Sequence, residues 1–278
     1  MKTGSIYCNY EDAFKSYDNF RQPIGLKEVF QILDMVPVKN DQAVILEGGF
    51  GTGAYTQYLA KSSFFVIGLE ASETGVIQAR KRLKAFSNVH LGRGNILALP
   101  LKDSTVDVYF VSQVIHHLDD SPEFPNLDIF LKEARRVLKK GGFLIIHTCD
   151  PAQLDPHRGS YWHYEFIPIA ARKLQQKYIP VEKLRIRLER LGFSNVEVRK
   201  SSGQIFGDKY YRDPTIFFSD DFWASDSVFS LVSSAEKANS CKALRTAIEE
   251  GSIHKIMEKH RAWALEIGET LILSARRD

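Results

Sequence analysis

Apolar residues along the chain switch repeatedly between short β-favouring runs and longer stretches with helical spacing. Leu26, Val29, Phe30 and Leu33 recur at helical intervals and Pro37 closes the run, so a helix is expected over 26–35. Residues 43–47 form a β-favouring run, broken by the glycine-rich 48–53 and followed by a helical pattern through Tyr58, Leu59 and Ala60. The same alternation continues with a strand over 64–69, a helix over 72–86 with Ser72 as N-cap, and strands over 89–91 and 106–111. A helix over 124–138 is expected to end at Lys139-Lys140-Gly141-Gly142, cations in its last turn and glycine as its C-cap, before a buried strand over 143–148. Strands alternating with helices specify a parallel sheet covered on both faces, an α/β doubly wound fold.

After Asp150 the rhythm changes. A helix is expected from Pro180 to about Leu191, with strands over 196–198 and 270–274. The remaining segments are longer than a simple doubly wound domain needs and read as an inserted lid. The expected division is an N-terminal helical cap over 1–40, a core over 41–150, 180–200 and 266–278, and lid insertions over 151–179 and 201–265. Residues 157–229 hold 14 of the 32 aromatic residues, so the lid offers an acceptor pocket, a small core of its own, or both.

Composition narrows the class. With 278 residues, 44% of them apolar and 26% charged, the chain is an ordinary globular protein, and its apolar runs are far shorter than the ~20 residues of a membrane helix. Three cysteines without metal spacing fit a reducing compartment; a metal is not expected. The N-terminus does not read as a secretory signal, so a cytoplasmic location is expected. A net charge of +3 gives no argument for nucleic acid. Nine Lys/Arg against three Glu over 172–200 read first as a solvated helix face and second as a polyanion-binding one.

The chemistry concentrates in Glu47-Gly48-Gly49-Phe50-Gly51-Thr52-Gly53, placed between a strand and a helix. Glycines at 49, 51 and 53 let the backbone turn sharply and approach a ligand closely. A dinucleotide is one candidate, although the spacing is degenerate for that fingerprint. Glu47 favours another class: a carboxylate there repels a pyrophosphate and suits an α-amino group or a cationic ligand. Glu70, ending the second strand, is placed to hold a ribose diol in either class.

From Gln42 to Thr148 the chain resembles the class I S-adenosylmethionine-dependent methyltransferases, in particular the small-molecule branch related to quinone-biosynthesis enzymes. Glu47 to Gly53 resembles their first motif, Gly68-Leu69-Glu70-Ala71-Ser72 their second, and Gly94-Asn95-Ile96 through Leu99-Pro100-Leu101 their third, with Asn95 where that branch has Asp. Asp107 to Leu118 is similar to their fourth strand and loop, and Leu138 to Gly142 to the entry of their fifth strand. The resemblance implies a Rossmann-like, mostly parallel seven-stranded sheet with an antiparallel last strand, and S-adenosylmethionine as cofactor. It implies cofactor contacts from Glu47, Gly49, Gly51, Gly53, Glu70, Ala71, Asn95, Ile96 and Gln113, with Tyr17 and Arg21 in an N-terminal cover.

Methyl transfer from a sulfonium needs alignment and a dry site, and the lid is placed to supply both. A hydroxyl acceptor would also need a base. His116, His117, His147, Asp150, His157 and His163 are available; His117 is the first choice for catalysis and His163 for lining an acceptor pocket, while His147 is expected to face the core. Ser112-Gln113-Val114-Ile115 lacks the Asn/Asp-Pro-Pro-Tyr/Phe pattern of enzymes that methylate planar amino groups, and with the aromatic lid this favours a small, partly apolar acceptor. The competing readings are an RNA or protein methyltransferase using Lys183, Arg185, Arg187 and Arg190, a nicotinamide oxidoreductase, and a non-catalytic binding module.

Overall fold

Each β-favouring run becomes a strand of one seven-stranded sheet in the computed structural model, which describes residues 8–37, 43–62 and 64–278. The strands are β1 Val44–Gly48, β2 Phe65–Glu70, β3 Val89–Arg93, β4 Val106–Ser112, β5 Leu138–Thr148, β6 Phe193–Lys200 and β7 Leu271–Arg277. Their order is β3-β2-β1-β4-β5-β7-β6; β1 to β5 run parallel, and β7 lies antiparallel between β5 and β6. The order reverses between β1 and β4, so a crevice opens beyond the carboxyl ends of these two strands, where an open α/β sheet binds its ligand.

Strand alternation sets the two core layers. Ile45, Val108, Phe110 and Ile145 face one side, against Val29, Ile32 and Leu33 of α2 (Leu26–Leu33) and Leu59 of α3 (Thr56–Lys61). Leu46, Tyr109, Val111, Leu144 and Ile146 face the other, against α5 (Pro125–Val137) and α7 (Val181–Arg190). α4 (Glu73–Arg82) starts where expected, since the Ser72 hydroxyl accepts from the Gly75 N–H at 3.1 Å.

Two local expectations change. The N-terminal region is not one cap: α2 is a layer of the core, and the segment from α1 (Tyr10–Ala13) to Pro23 lies at the crevice. Residues 139–142 do not cap a helix either. The chain passes from α5 straight into β5, and the register slips between Val106 opposite Leu138 and Val108 opposite Phe143. Gly142 is required there because a Cβ would lie 2.7 Å from the Asp107 carbonyl oxygen. Lys139 points back to Asp107, 3.0 and 2.9 Å from its two carboxylate oxygens, rather than to a helix end.

The two insertions share a single aromatic core. Trp162, Tyr164, Phe206, Tyr210, Phe217, Phe222 and Phe229 belong to one buried cluster, with ring centroids as close as 4.2 Å for Phe206 and Tyr210. Short helices α6 (Pro168–Gln175), α8 (Asp208–Arg212) and α9 (Asp220–Ser225), with the longer α10 (Ser234–Glu249) and α11 (Ile253–Ile267), enclose it. No helix of the described residues is long and apolar enough to cross a membrane.

Asp107 joins three strands: besides Lys139 it accepts the Val44 N–H at 2.9 Å. Asp107→Ala is expected to cost about 2 kcal/mol, leaving that donor without its partner. Urea denaturation checks this, and an unchanged midpoint would contradict it.

Candidate active site

At the crevice lies a cavity of about 320 Å³. Its floor is the turn after β1, where Gly49 and Gly51 take φ of +71° and +55°. A Cβ on Gly49 would meet Val114 at 2.5 Å. Gly53 also has a positive φ, but it does not line the cavity: its missing Cβ faces Ala79 and Leu83 of α4, so it serves the packing of the turn on the helix.

Glu47, the fourth residue of β1, is 2% exposed, and its Oε2 has no hydrogen-bond partner among the described residues. Burial pushes its carboxyl up to about 8; the nearby Thr56 hydroxyl opposes the rise and the charge of Glu70 adds to it. Glu70 ends β2. Its oxygens accept the Gly51 and Ser72 N–H groups, each at 2.8 Å, which fixes the carboxylate at the cavity wall while burial raises its pKa.

Ala71, Asn95, Ile96 and Gln113 line the same cavity. The Asn95 carbonyl accepts the Leu97 N–H at 2.9 Å, so this side chain shapes its own loop and keeps one lone pair. Gln113 takes φ +54°, a strained conformation for a side-chain-bearing residue, and touches a second cavity as well.

The roof comes from the N-terminal segment. Tyr10, Phe14, Tyr17 and Arg21 all line the cavity, at spacings of four, three and four residues. Glu11 fastens this segment by accepting the Glu73 and Thr74 N–H groups at the start of α4, both at 2.9 Å, and Asp18 holds it through Thr52 and Arg82. Of these residues Tyr10 and Phe14 escaped the sequence reading, although their helical spacing with Tyr17 was visible.

Of the two histidines singled out for chemistry, His117 lines the cavity. Its Nε2 lies 2.7 Å from the Tyr10 hydroxyl, and burial, helped by Lys177, lowers its pKa to about 3. His163 lines neither cavity. It is fully buried in the lid core, with Nδ1 at 2.8 Å from the Tyr210 hydroxyl and Nε2 near Asp226, which corrects its expected place in an acceptor pocket. His147 faces the interior as expected, held by Tyr55, Ser112 and Thr270. Asp150 caps the turn Pro151–Leu154, and His157 is exposed.

Residues 46–146 match the family described as a methyltransferase domain. The chain carries a methyltransferase domain. Over 114 residues the chain is 35% identical to a protein of Mycolicibacterium smegmatis described as an S-adenosylmethionine-dependent methyltransferase, a match covering 41% of each. A demethylmenaquinone methyltransferase of Staphylococcus carnosus is 28% identical over 173 residues, covering 56% of this chain and 69% of that one. The chain thus spans less than half the length of the mycobacterial relative. In fold it is similar to a protein of Anabaena variabilis described as a methyltransferase of an antibiotic biosynthesis pathway: TM-score 0.67, 20% identity, 91% of this chain and 98% of that one.

Two of the four cations of the basic helix α7 are paired in the methyltransferase fold. Arg185 pairs with Glu182 and Glu189, and Arg187 with Asp128 and two backbone carbonyls of the core. This does not favour the polyanion-binding reading.

The raised pKa of Glu47 has a consequence for stability. Between the ordinary carboxyl value of 4.5 and about 8 the folded state keeps a proton that the unfolded chain has released. Stability of the ligand-free protein therefore falls as pH rises through that window. Glu47→Gln, neutral throughout, is expected to remove this part of the slope and to be more stable than the parent at pH 8; urea midpoints at pH 5 and pH 8 test it, and a less stable variant at pH 8 would contradict it.

Proposed function

We propose that the protein is an enzyme that transfers a methyl group from S-adenosylmethionine to a small acceptor held between the core and the lid. One observation carries the reading: Glu47 and Arg21, which both line the cavity, each keep a buried polar atom that lacks a partner among the described residues, the acceptor Glu47 Oε2 and the donor Arg21 Nε. An ammonium and a carboxylate on one ligand, the two ends of an amino acid, would satisfy both. Glu70 and Asn95 supply acceptors for a ribose diol and an adenine amino group, and Ala71 and Ile96 complete the wall. A pyrophosphate would offer the buried Glu47 no positive partner and would oppose its ionisation, which speaks against a nicotinamide cofactor.

When bound, the cofactor supplies an electrophilic methyl group on a sulfonium. The protein's part is alignment and exclusion of water. Gln113, Tyr10, Tyr17, Arg21 and Ile205 border both this cavity and a second of about 30 Å³, whose lining also includes Tyr161, Tyr164 and Tyr178 from the lid side. We place the acceptor's reacting atom there. The Tyr178 hydroxyl donates to the Gln113 side-chain oxygen at 3.2 Å, which orients the carboxamide at the junction. Gln113 is thereby assigned to both ligands.

His117 is assigned to hydrogen bonding with Tyr10 rather than to proton abstraction, because a group with a pKa near 3 is a weak base. The acceptor atom is then one that is nucleophilic without a strong protein base. The polar, tyrosine-rich lining makes the expected acceptor more polar than the aromatic content alone suggested. Names of relatives, such as demethylmenaquinone methyltransferase, support a small molecule in the same direction.

Calorimetric titration is expected to show binding of S-adenosylhomocysteine and none of NAD, with Glu70→Ala weakening the former by roughly tenfold or more. In cell extract given methyl-labelled cofactor, label should enter the low-mass fraction. Label confined to RNA or protein would overturn the acceptor assignment, and NAD binding would overturn the cofactor assignment.

A further inference from the structure

Arg21 does not stand alone at the junction of the two cavities. Its Nη2 lies 2.9 Å from Asp226 Oδ2, and its guanidinium sits over the Phe206 ring, 4.5 Å from the centroid. Asp226 is buried and Arg21 largely covered, at 3% and 14% side-chain exposure. Asp226 belongs to the lid: it is the N-cap of the turn Ser227–Leu231, where Oδ1 accepts the Val228 N–H at 3.2 Å. Behind it His163 Nε2 approaches Oδ2 to 3.6 Å, beyond hydrogen-bond range, while His163 Nδ1 is held by Tyr210. A chain of largely buried side chains, Tyr210, His163, Asp226 and Arg21, thus runs from the lid core to the cavity wall. The pair fixes one edge of the guanidinium, Nε is buried without a partner among the described residues, and the side chain lines both cavities.

We infer that Asp226 is a positioning residue for Arg21, through which the lid sets the affinity of the site for the amino-acid end of the cofactor. The inference rests on the cofactor reading above. A long flexible side chain gains most as an anion receptor when its rotamer is fixed beforehand, because less freedom is lost on binding. A carboxylate from the lid fixes Arg21 only while the lid is folded against the N-terminal segment. Binding of the methyl donor and ordering of the acceptor's enclosure are thereby coupled.

Two probes separate this role from a general contribution to folding. S-adenosylhomocysteine carries the amino-acid end; methylthioadenosine has the same nucleoside and sulfur but lacks that end. Asp226→Asn, which keeps a capping side chain, is expected to weaken S-adenosylhomocysteine roughly 10- to 100-fold and leave methylthioadenosine unchanged. Asp226→Ser, also a competent cap, should behave alike. Added to Arg21→Met, Asp226→Asn should cause little further loss, since both act through one guanidinium. Unchanged or tighter S-adenosylhomocysteine binding would overturn the inference, as would equal loss of both probes. Failure of the parent protein to bind S-adenosylhomocysteine is a different result and would remove the cofactor reading itself.

Discussion

The burial of Glu47 inside the central strand, with no cation paired to it among the described residues, is the constraint on which the rest of the site depends. Burying a carboxyl there is unfavourable unless it stays protonated or gains a positive partner. The fold holds it regardless: β1 pairs on both sides, Glu47 lies opposite Gly68 and Phe110, and the glycine turn follows at once. A strand position that would be more stable with an apolar residue is kept acidic, at the point where the order of strands reverses. Local sequence rules broken at such a position are a mark of function rather than of a poor fold.

Around that group the protein builds an enclosure from parts distant in sequence. The N-terminal segment is fastened to α4 through Glu11 and to Arg82 through Asp18, and to the lid through Arg21 and Asp226. The lid has its own aromatic core, so its cavity-facing residues are held by packing rather than by the ligand. Positioning on a preformed scaffold and exclusion of water are what a sulfonium methyl transfer requires of a protein, and they need no strong base. The lowered pKa of His117 is consistent with that economy of means.

Features set by local periodicity were legible in the chain. The strands, the Ser72 cap, the glycine turn and Glu70 at the end of β2 all follow from patterns a few residues long. Gly53 was assigned with its neighbours because spacing cannot distinguish a glycine facing a ligand from one facing Ala79. Lys139 and Gly141 looked like a helix end because cations and glycine there have that meaning locally; the tie to Asp107 across the sheet overrode it. His163 sits among aromatic residues in sequence, and only the fold reveals that these enclose it within the lid core. The second cavity was illegible for the same reason, since its walls come from five separate stretches of chain.

The central claim is that a protonated, buried Glu47 gives up its proton to receive an ammonium group. Calorimetric titration with S-adenosylhomocysteine at pH 7, repeated in buffers of different ionisation enthalpy, measures the protons released on binding. The account predicts release approaching one proton per ligand for the parent protein and close to none for Glu47→Gln. Binding without proton release, or the same release from both proteins, would contradict it.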